Sequence, residues 1–258
     1  MAASPAFSLA RRLRAGETVY SAWCVLGVPL LAETAARDGF TTVTLDMQHG
    51  LWDVAGIATA IGAVHHGGAA PIVRPPLNDF GMASRALDFG AEGIIAPMIN
   101  SAADARTLVE ATKYLPRGGR SWGPPRALTL SGLDIAGYLG TAHDLTITMA
   151  MIETRQALEN VHEIVAVDGI DALFVGPSDL SIALSNGRAW NHTMPELERA
   201  LDTIAEACAK VGKIAGAFTA DAPRAMALAK RGYRFLTVSS DNGMLKSGIA
   251  EQLKALRG

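Results

Sequence analysis

Two cysteines, Cys24 and Cys208, are the whole thiol content of this 258-residue chain, and they stand far apart without metal-site spacing. A disulfide framework is excluded, and a reducing cytoplasm with both thiols as small core residues is expected. No apolar stretch runs to the roughly 20 residues that span a bilayer before Gly, Pro or a charge interrupts it. The N-terminus likewise lacks the long apolar segment of a secretory signal. Its first 14 residues are rich in Ala, Ser and Arg and carry no acid, a faint likeness to a transit peptide. An amphipathic helix around Phe7 to Leu13 is the simpler reading. Neither charge sign is in excess, with Lys+Arg at 23 against Asp+Glu at 25. Without a basic surplus or a basic run, a nucleic-acid partner is not expected.

What the chain does contain is a repeated unit: a short β-branched apolar run, a turn, then an Ala-rich segment with helical spacing. The strand candidates are Thr18–Val25, Thr41–Gln48, Ala70–Pro75, Gly93–Ile99, Thr146–Glu153, Asp171–Pro177, Lys213–Phe218 and Phe235–Ser240. The helix candidates between them include Pro29–Asp38, Val54–His66, Phe80–Phe89, Ala102–Lys113, Arg155–Val167, Pro195–Val211, Ala222–Lys230 and Met244–Leu256. Runs such as ALFV and GIIAPMI suit parallel strands buried on both faces, and eight alternations close most simply as an α/β (β/α)8 TIM barrel. A doubly wound sheet is the less favoured alternative, since no GxGxxG follows the first strand. No linker divides the chain, so residues 1–258 are expected to form a single domain. Residues 115–131 are the one long irregular stretch, read as a loop over the barrel mouth or an oligomer contact.

Barrel active sites form at the carboxyl ends of the strands, and those positions are polar here. Strand 1 ends near Trp23, strand 2 in Asp46-Met-Gln-His49, strand 3 in Arg74, strand 5 in Glu153, and strand 6 in Gly176-Pro177-Ser178-Asp179. Met149, Met151 and Glu153 alternate and share a face, which puts Glu153 at the rim if that face points inward. Glu153 and Asp179 suit a hard cation such as Mg2+ or Mn2+, whereas zinc would call for more His or Cys. Their alternatives are an ion pair with Arg155 for Glu153 and a helix N-cap for Asp179. His49 is a base held by the Asp46 carboxylate, or a structural strand-end histidine. Arg74 is a clamp for an anionic substrate, or an ordinary rim ion pair. His65, His66, His143, His162 and His192 lie away from strand ends and are assigned to the surface. No lysine is placed for a Schiff base, so carbanion chemistry here would need a metal as its electron sink.

The segments SAWCVLGVPLLAETAARDGFTTVTLDMQHG, PIVRPP, LDFGAEGIIAPMINSAADA, MIETRQAL and GIDALFVGPSDLS, in this order, resemble the HpcH/HpaI aldolase/citrate lyase family. The likeness is to its metal-dependent (class II) pyruvate aldolases of the 4-hydroxy-2-oxoheptanedioate type. It implies Glu153 and Asp179 as ligands of a divalent cation, Mg2+ or Mn2+ or Co2+. It further implies His49 as catalytic acid or base with Asp46 as dyad partner, Arg74 polarising the pyruvate oxygen, and Asp88 supporting the histidine. Trp23, Met151, Gly176, Pro177, Ser178 and Phe218 would line the substrate site, with Phe218 either limiting aldehyde length or serving as a core residue. The implied partners are pyruvate or a related 2-oxo acid and an aldehyde. A C-terminal helix from Gly243 packing on a neighbouring subunit would build a homohexamer, a trimer of dimers. Gln48 and Met151 depart from the family pattern, where an acid precedes the histidine and a Gln precedes the metal Glu. Alternatives within the superfamily are a CoA-ester lyase of the malyl or citryl type and an oxaloacetate decarboxylase. A non-catalytic acid-binding barrel would predict a broken His/Glu/Asp/Arg set, and here the set is complete.

Overall fold

The structure is a computed structural model that describes residues 6–257. Eight parallel strands pair in sequence order and the first pairs the last, closing a barrel. They are β1 (Val19–Cys24), β2 (Thr42–Asp46), β3 (Ala70–Arg74), β4 (Gly93–Ala96), β5 (Ile147–Ile152), β6 (Ala172–Val175), β7 (Ile214–Thr219) and β8 (Phe235–Val238). All eight fall within the strand candidates or one residue beyond them. Around them run α1 (Leu9–Arg14), α2 (Pro29–Arg37), α3 (Val54–His66), α4 (Phe80–Asp88), α5 (Ala102–Thr112), α6 (Pro125–Ser131) and α7 (Ile135–Leu145). The series continues with α8 (Arg155–Glu159), α9 (Val161–Ala166), α10 (Pro177–Leu184), α11 (Pro195–Lys210), α12 (Ala222–Lys230) and α13 (Asp241–Arg257). No described helix is long and apolar enough to cross a membrane.

The two sheet faces build two apolar layers, as expected of strands buried on both sides. Trp23, Ile72, Ile95, Met149, Met151, Phe174 and Phe235 fill the barrel interior. Residues of opposite parity, such as Val43, Leu45, Val73, Ile94, Leu173 and Val175, pack outward with the helices. Helix α1 closes the amino end by adding Leu9 and Leu13 to the interior cluster. The amides of Phe7 and Leu9 donate to Glu92 Oε1 and Oε2 at 2.8 and 3.0 Å, so a carboxylate just before β4 caps the chain that enters α1.

Three expectations need correction. The stretch 115–131 contains α6, and it follows a helix that runs antiparallel to the strands, so it lies at the amino end rather than over the mouth. Phe7, Tyr114, Ala127 and Tyr138 form one apolar cluster there. The helix expected over Arg155–Val167 is broken into α8 and α9 at Asn160, whose side-chain amide donates to Asn100 O at 2.8 Å. His65 is not a surface residue: its side chain is buried, Nε2 lies 2.8 Å from Gly90 O, and Nδ1 is 3.9 Å from Glu92.

Burial pushes the Glu92 carboxyl up to about 7, against the Leu9, Phe7 and Ser8 amides and the Arg12 charge, which favour its charged form. A raised folded-state value means that its stabilising contribution is whole below the ordinary value near 4.5 and is lost as pH rises through about 7. Replacing Glu92 by Ala is therefore expected to cost about 2–3 kcal/mol at pH 5, from two lost acceptors and the undocking of α1. The cost should shrink toward pH 8, as read by urea unfolding at the two pH values.

Candidate active site

Period-two alternation carries the interior face of each strand to the mouth. On β3, Ala70 and Ile72 point inward and Arg74 is the next residue of that parity. On β5 the series Ile147, Met149, Met151 continues to Glu153, and on β6 Ala172 and Phe174 continue to Gly176.

Asp46 and Arg74 face each other in the β2–β3 register. Arg74 Nε donates to Oδ1 at 2.8 Å and Nη2 to Oδ2 at 2.6 Å, a two-pronged pair with both residues buried. The guanidinium also lies over the Trp23 ring, 4.8 Å from its centroid, while Trp23 Nε1 donates to Asp46 at 3.3 Å. Arg74 Nη1, whose neighbour is the Met151 sulfur at 4.0 Å, is left as the donor for a ligand.

This geometry corrects the expected Asp46–His49 dyad. The Asp46 carboxylate is committed to Arg74 and Trp23 and accepts the backbone amides of Gln48 at 3.0 Å and His49 at 3.4 Å. It fixes the turn that carries His49 rather than the imidazole, which stands exposed at the cavity edge.

Glu153 accepts the Met98 amide at Oε2, 3.0 Å away, and Met98 adopts a left-handed φ of 56° to present it. Desolvation pushes the Glu153 carboxyl up to about 7, with the charges of Asp179 and Asp46 adding and the Met98 amide and Arg74 opposing. Arg155 is not its partner, since that guanidinium donates to Leu184 O. Asp179 is the third residue of α10 and not its N-cap, a position Gly176 occupies. Glycine at 176 leaves Glu153 and Met151 their room: a Cβ there would stand 2.5 Å from Glu153 Oε1 and 2.7 Å from Met151 Cε, so both would have to shift.

A cavity of about 250 Å³ gathers Trp23, His49, Arg74, Met151, Glu153, Gly176, Pro177, Ser178, Asp179 and Phe218, each a site candidate from the sequence. Val25 and Ser240 complete the lining and were not among those candidates. Asp46 lies behind Arg74. Asp88 is not brought to the site: as the last residue of α4 it lies at the opposite end of the barrel, where Arg120 donates to it. Trp122, in the 115–131 stretch, packs against Tyr114 and Tyr138. Sequence reasoning also missed His192, whose Nε2 lies 2.9 Å from Ser178 Oγ. It sits in the connection after α10, where no periodic pattern distinguishes it.

A larger cleft of about 540 Å³ between α4 and α5 gathers no strand-end groups. The mouth thus presents two carboxylates on neighbouring strand ends, one anchored guanidinium and one exposed imidazole. Two carboxylates can hold a hard cation through oxygen, and the first-turn amides of α10, which lack intrahelical acceptors, can receive an anion.

A closed (β/α)8 barrel with carboxylates, an imidazole and a guanidinium gathered at its carboxyl end has the layout of a barrel enzyme. Within that class, the chain belongs to the HpcH/HpaI aldolase/citrate lyase family, whose model matches residues 20–247. It is 39% identical over 240 residues to a hydroxypyruvate/pyruvate aldolase of Rhizorhabdus wittichii, covering 93% of this chain and 94% of that one. It is 35% identical to a 4-hydroxy-2-oxo-heptane-1,7-dioate aldolase of Salmonella paratyphi C, covering 95% and 92%. The crystal structure of an HpcH/HpaI aldolase from Desulfitobacterium hafniense superposes with a TM-score of 0.89 at 29% identity, covering 96% of each chain.

Removing one member of the buried Asp46–Arg74 pair leaves an uncompensated charge. Arg74→Met is expected to cost about 3–5 kcal/mol in urea unfolding, and adding Asp46→Asn should recover a large part of that loss.

Proposed function

We propose that this chain is an aldolase that forms the enolate of pyruvate or a related 2-oxo acid and adds it reversibly to an aldehyde. In the opposite direction it cleaves 4-hydroxy-2-oxo acids. The observation that supports this most directly is the meeting of His49, Arg74, Glu153 and Asp179 on one cavity in a member of this family.

Family membership supports dependence on a divalent metal, and Glu153 with Asp179 would hold it. Among the described residues no third His, Cys, Asp or Glu gathers with them. That leaves most positions to water and substrate oxygens, as suits Mg2+, Mn2+ or Co2+ rather than zinc. When bound, the cation supplies Lewis acidity at the carbonyl of the 2-oxo acid.

The chain's own groups supply the rest. Arg74, locked by Asp46, offers Nη1 to the oxygen on which charge grows, at no cost of reorganisation. The His49 imidazole takes the methyl proton and returns it in the cleavage direction. The amides of Ser178 and Asp179 at the start of α10 receive the substrate carboxylate. The aldehyde lies toward Phe218, whose ring packs edge-on against Trp23 with centroids 5.5 Å apart and leaves room for a short chain. A cytoplasmic location goes with this reading, as both cysteines are buried and free.

Proton NMR of pyruvate in D2O tests the proposal. Methyl-signal loss is expected with Mg2+, Mn2+ or Co2+ and not with chelator. It should fall at least a hundredfold in His49→Ala, and by a smaller factor in Arg74→Lys, which keeps the charge but loses the fork. No exchange with any of these metals would overturn the reading and favour a CoA-ester lyase or a binding-only barrel.

The hexamer belongs to the same proposal. Helix α13 buries none of its residues against its own barrel and exposes Met244, Leu245, Ile249, Leu253 and Leu256. A lone chain has no use for so long an apolar helix face. Light scattering is expected to give six chains, and Ile249→Glu with Leu253→Glu should reduce the assembly to smaller species.

A further inference from the structure

His192 lies outside every strand end, yet it touches the cavity through one side chain. Its Nε2 is 2.9 Å from the hydroxyl of Ser178, which lines the mouth. His192 is itself held at both its ring and its backbone. The Trp190 ring packs on it with centroids 4.6 Å apart, and Arg224 Nη2 donates to the His192 carbonyl at 3.4 Å. A second cavity of about 130 Å³ lies alongside the first, with Pro177 and Phe218 lining both and His192 lining the second. The Ser178–His192 bond therefore joins the linings of two cavities that share Phe218, the residue toward which the proposed aldehyde lies.

We propose that His192 is a positioning residue that sets Ser178 Oγ to recognise a hydroxyl on the acceptor aldehyde, so that the chain favours short, neutral hydroxyaldehydes. The inference rests on the aldolase reading and names the acceptor class for the same site.

Two further observations support it. Burial and the nearby Arg224 charge lower the affinity of His192 for a proton, so the ring is neutral, with one donor and one acceptor nitrogen. Whichever role Nε2 takes, the serine hydroxyl keeps the complementary one for the cavity, and a substrate hydroxyl can satisfy either. The charges on this side also disfavour an aldehyde with a distal carboxylate. Arg224 is committed to Glu198 at 2.5 and 3.4 Å, and Arg74, the guanidinium on the cavity, is committed to Asp46.

The test compares kcat/KM for glycolaldehyde and acetaldehyde, which differ by one hydroxyl, at saturating pyruvate. The native chain is expected to favour glycolaldehyde. His192→Ala should cut that ratio about tenfold, mainly through the KM of glycolaldehyde, the size of one neutral hydrogen bond. His192→Gln, which can still reach Ser178 with an amide, should recover part of it. Ser178→Ala should cut the ratio equally, and adding His192→Ala to it should change nothing further, as for two residues acting as one unit. A ratio unmoved by His192→Ala, an equal loss for both aldehydes, or losses that add would overturn the assignment. Pyruvate proton exchange separates the two levels: native exchange with an unmoved ratio sinks only the role of His192, whereas absent exchange sinks the aldolase reading and this inference together.

Discussion

A parallel sheet closed on itself has no edge and no second direction, so all eight carboxyl ends face one opening and every returning helix ends at the other. The placement of chemistry follows from that constraint. Register puts Asp46 opposite Arg74, and parity carries the interior face of β5 one step beyond the strand to Glu153. The same constraint removes Asp88 and Arg120 to the far end, where charges meet opposite charges. There Lys113 pairs with Asp171 at 2.6 Å, Arg14 reaches the same carboxylate at 2.9 Å, and Arg120 pairs with Asp88. These pairs hold the amino end of the barrel shut around α1. At the mouth Asp46 and Arg74 pair in the same way, while Glu153 and Asp179 form no ion pair among the described residues.

The repeat was legible because it is a property of period. Helices Val54–His66 and Ala222–Lys230 match their expected bounds end to end, each opened by an aspartate that caps the first turn. The mouth residues were legible because strand ends and alternation locate them without knowledge of rotamers. What stayed hidden depends on which neighbour a side chain selects. Asp46 stands three residues before His49, and proximity in sequence suggested a dyad. The register instead offers it a guanidinium whose fork matches both carboxylate oxygens, a stronger partner than one imidazole nitrogen. Helix α6 was hidden in a segment rich in Gly and Pro, where Pro125 proves to be a helix start and Gly132 its left-handed stop. Asn160 looked like an ordinary helix residue until Asn100 supplied a carbonyl for its amide.

Met98 and His192 illustrate a further limit. Each acts on the site through one hydrogen bond to a residue the sequence did flag, Met98 by its amide on Glu153 and His192 by its ring on Ser178. His192 belongs to none of the family-like segments, Met98 lies in one but acts through its backbone amide, and its left-handed φ has no compositional signature such as a glycine would give. The first line of chemistry is therefore written in residue type and spacing, while the groups that aim it are written in the folded contacts alone.

The two mouth carboxylates without an ion pair have a physical consequence of their own. Three carboxylates, Asp46, Glu153 and Asp179, share the neighbourhood of one guanidinium, and Asp46 already neutralises most of its charge. Glu153 is left nearly dry, with a single amide donor and two like charges near enough to raise its proton affinity. Such a group lowers its free energy by taking up positive charge, as a proton below about 7 or as a cation above it. Proton and cation then compete for the same carboxylate. Gly176 sharpens that competition, since the missing Cβ lets the backbone approach Glu153 Oε1 without covering it. The barrel tolerates this local frustration because the closed sheet and the matched amino end hold the frame independently of the mouth, and strain is kept where binding can relieve it.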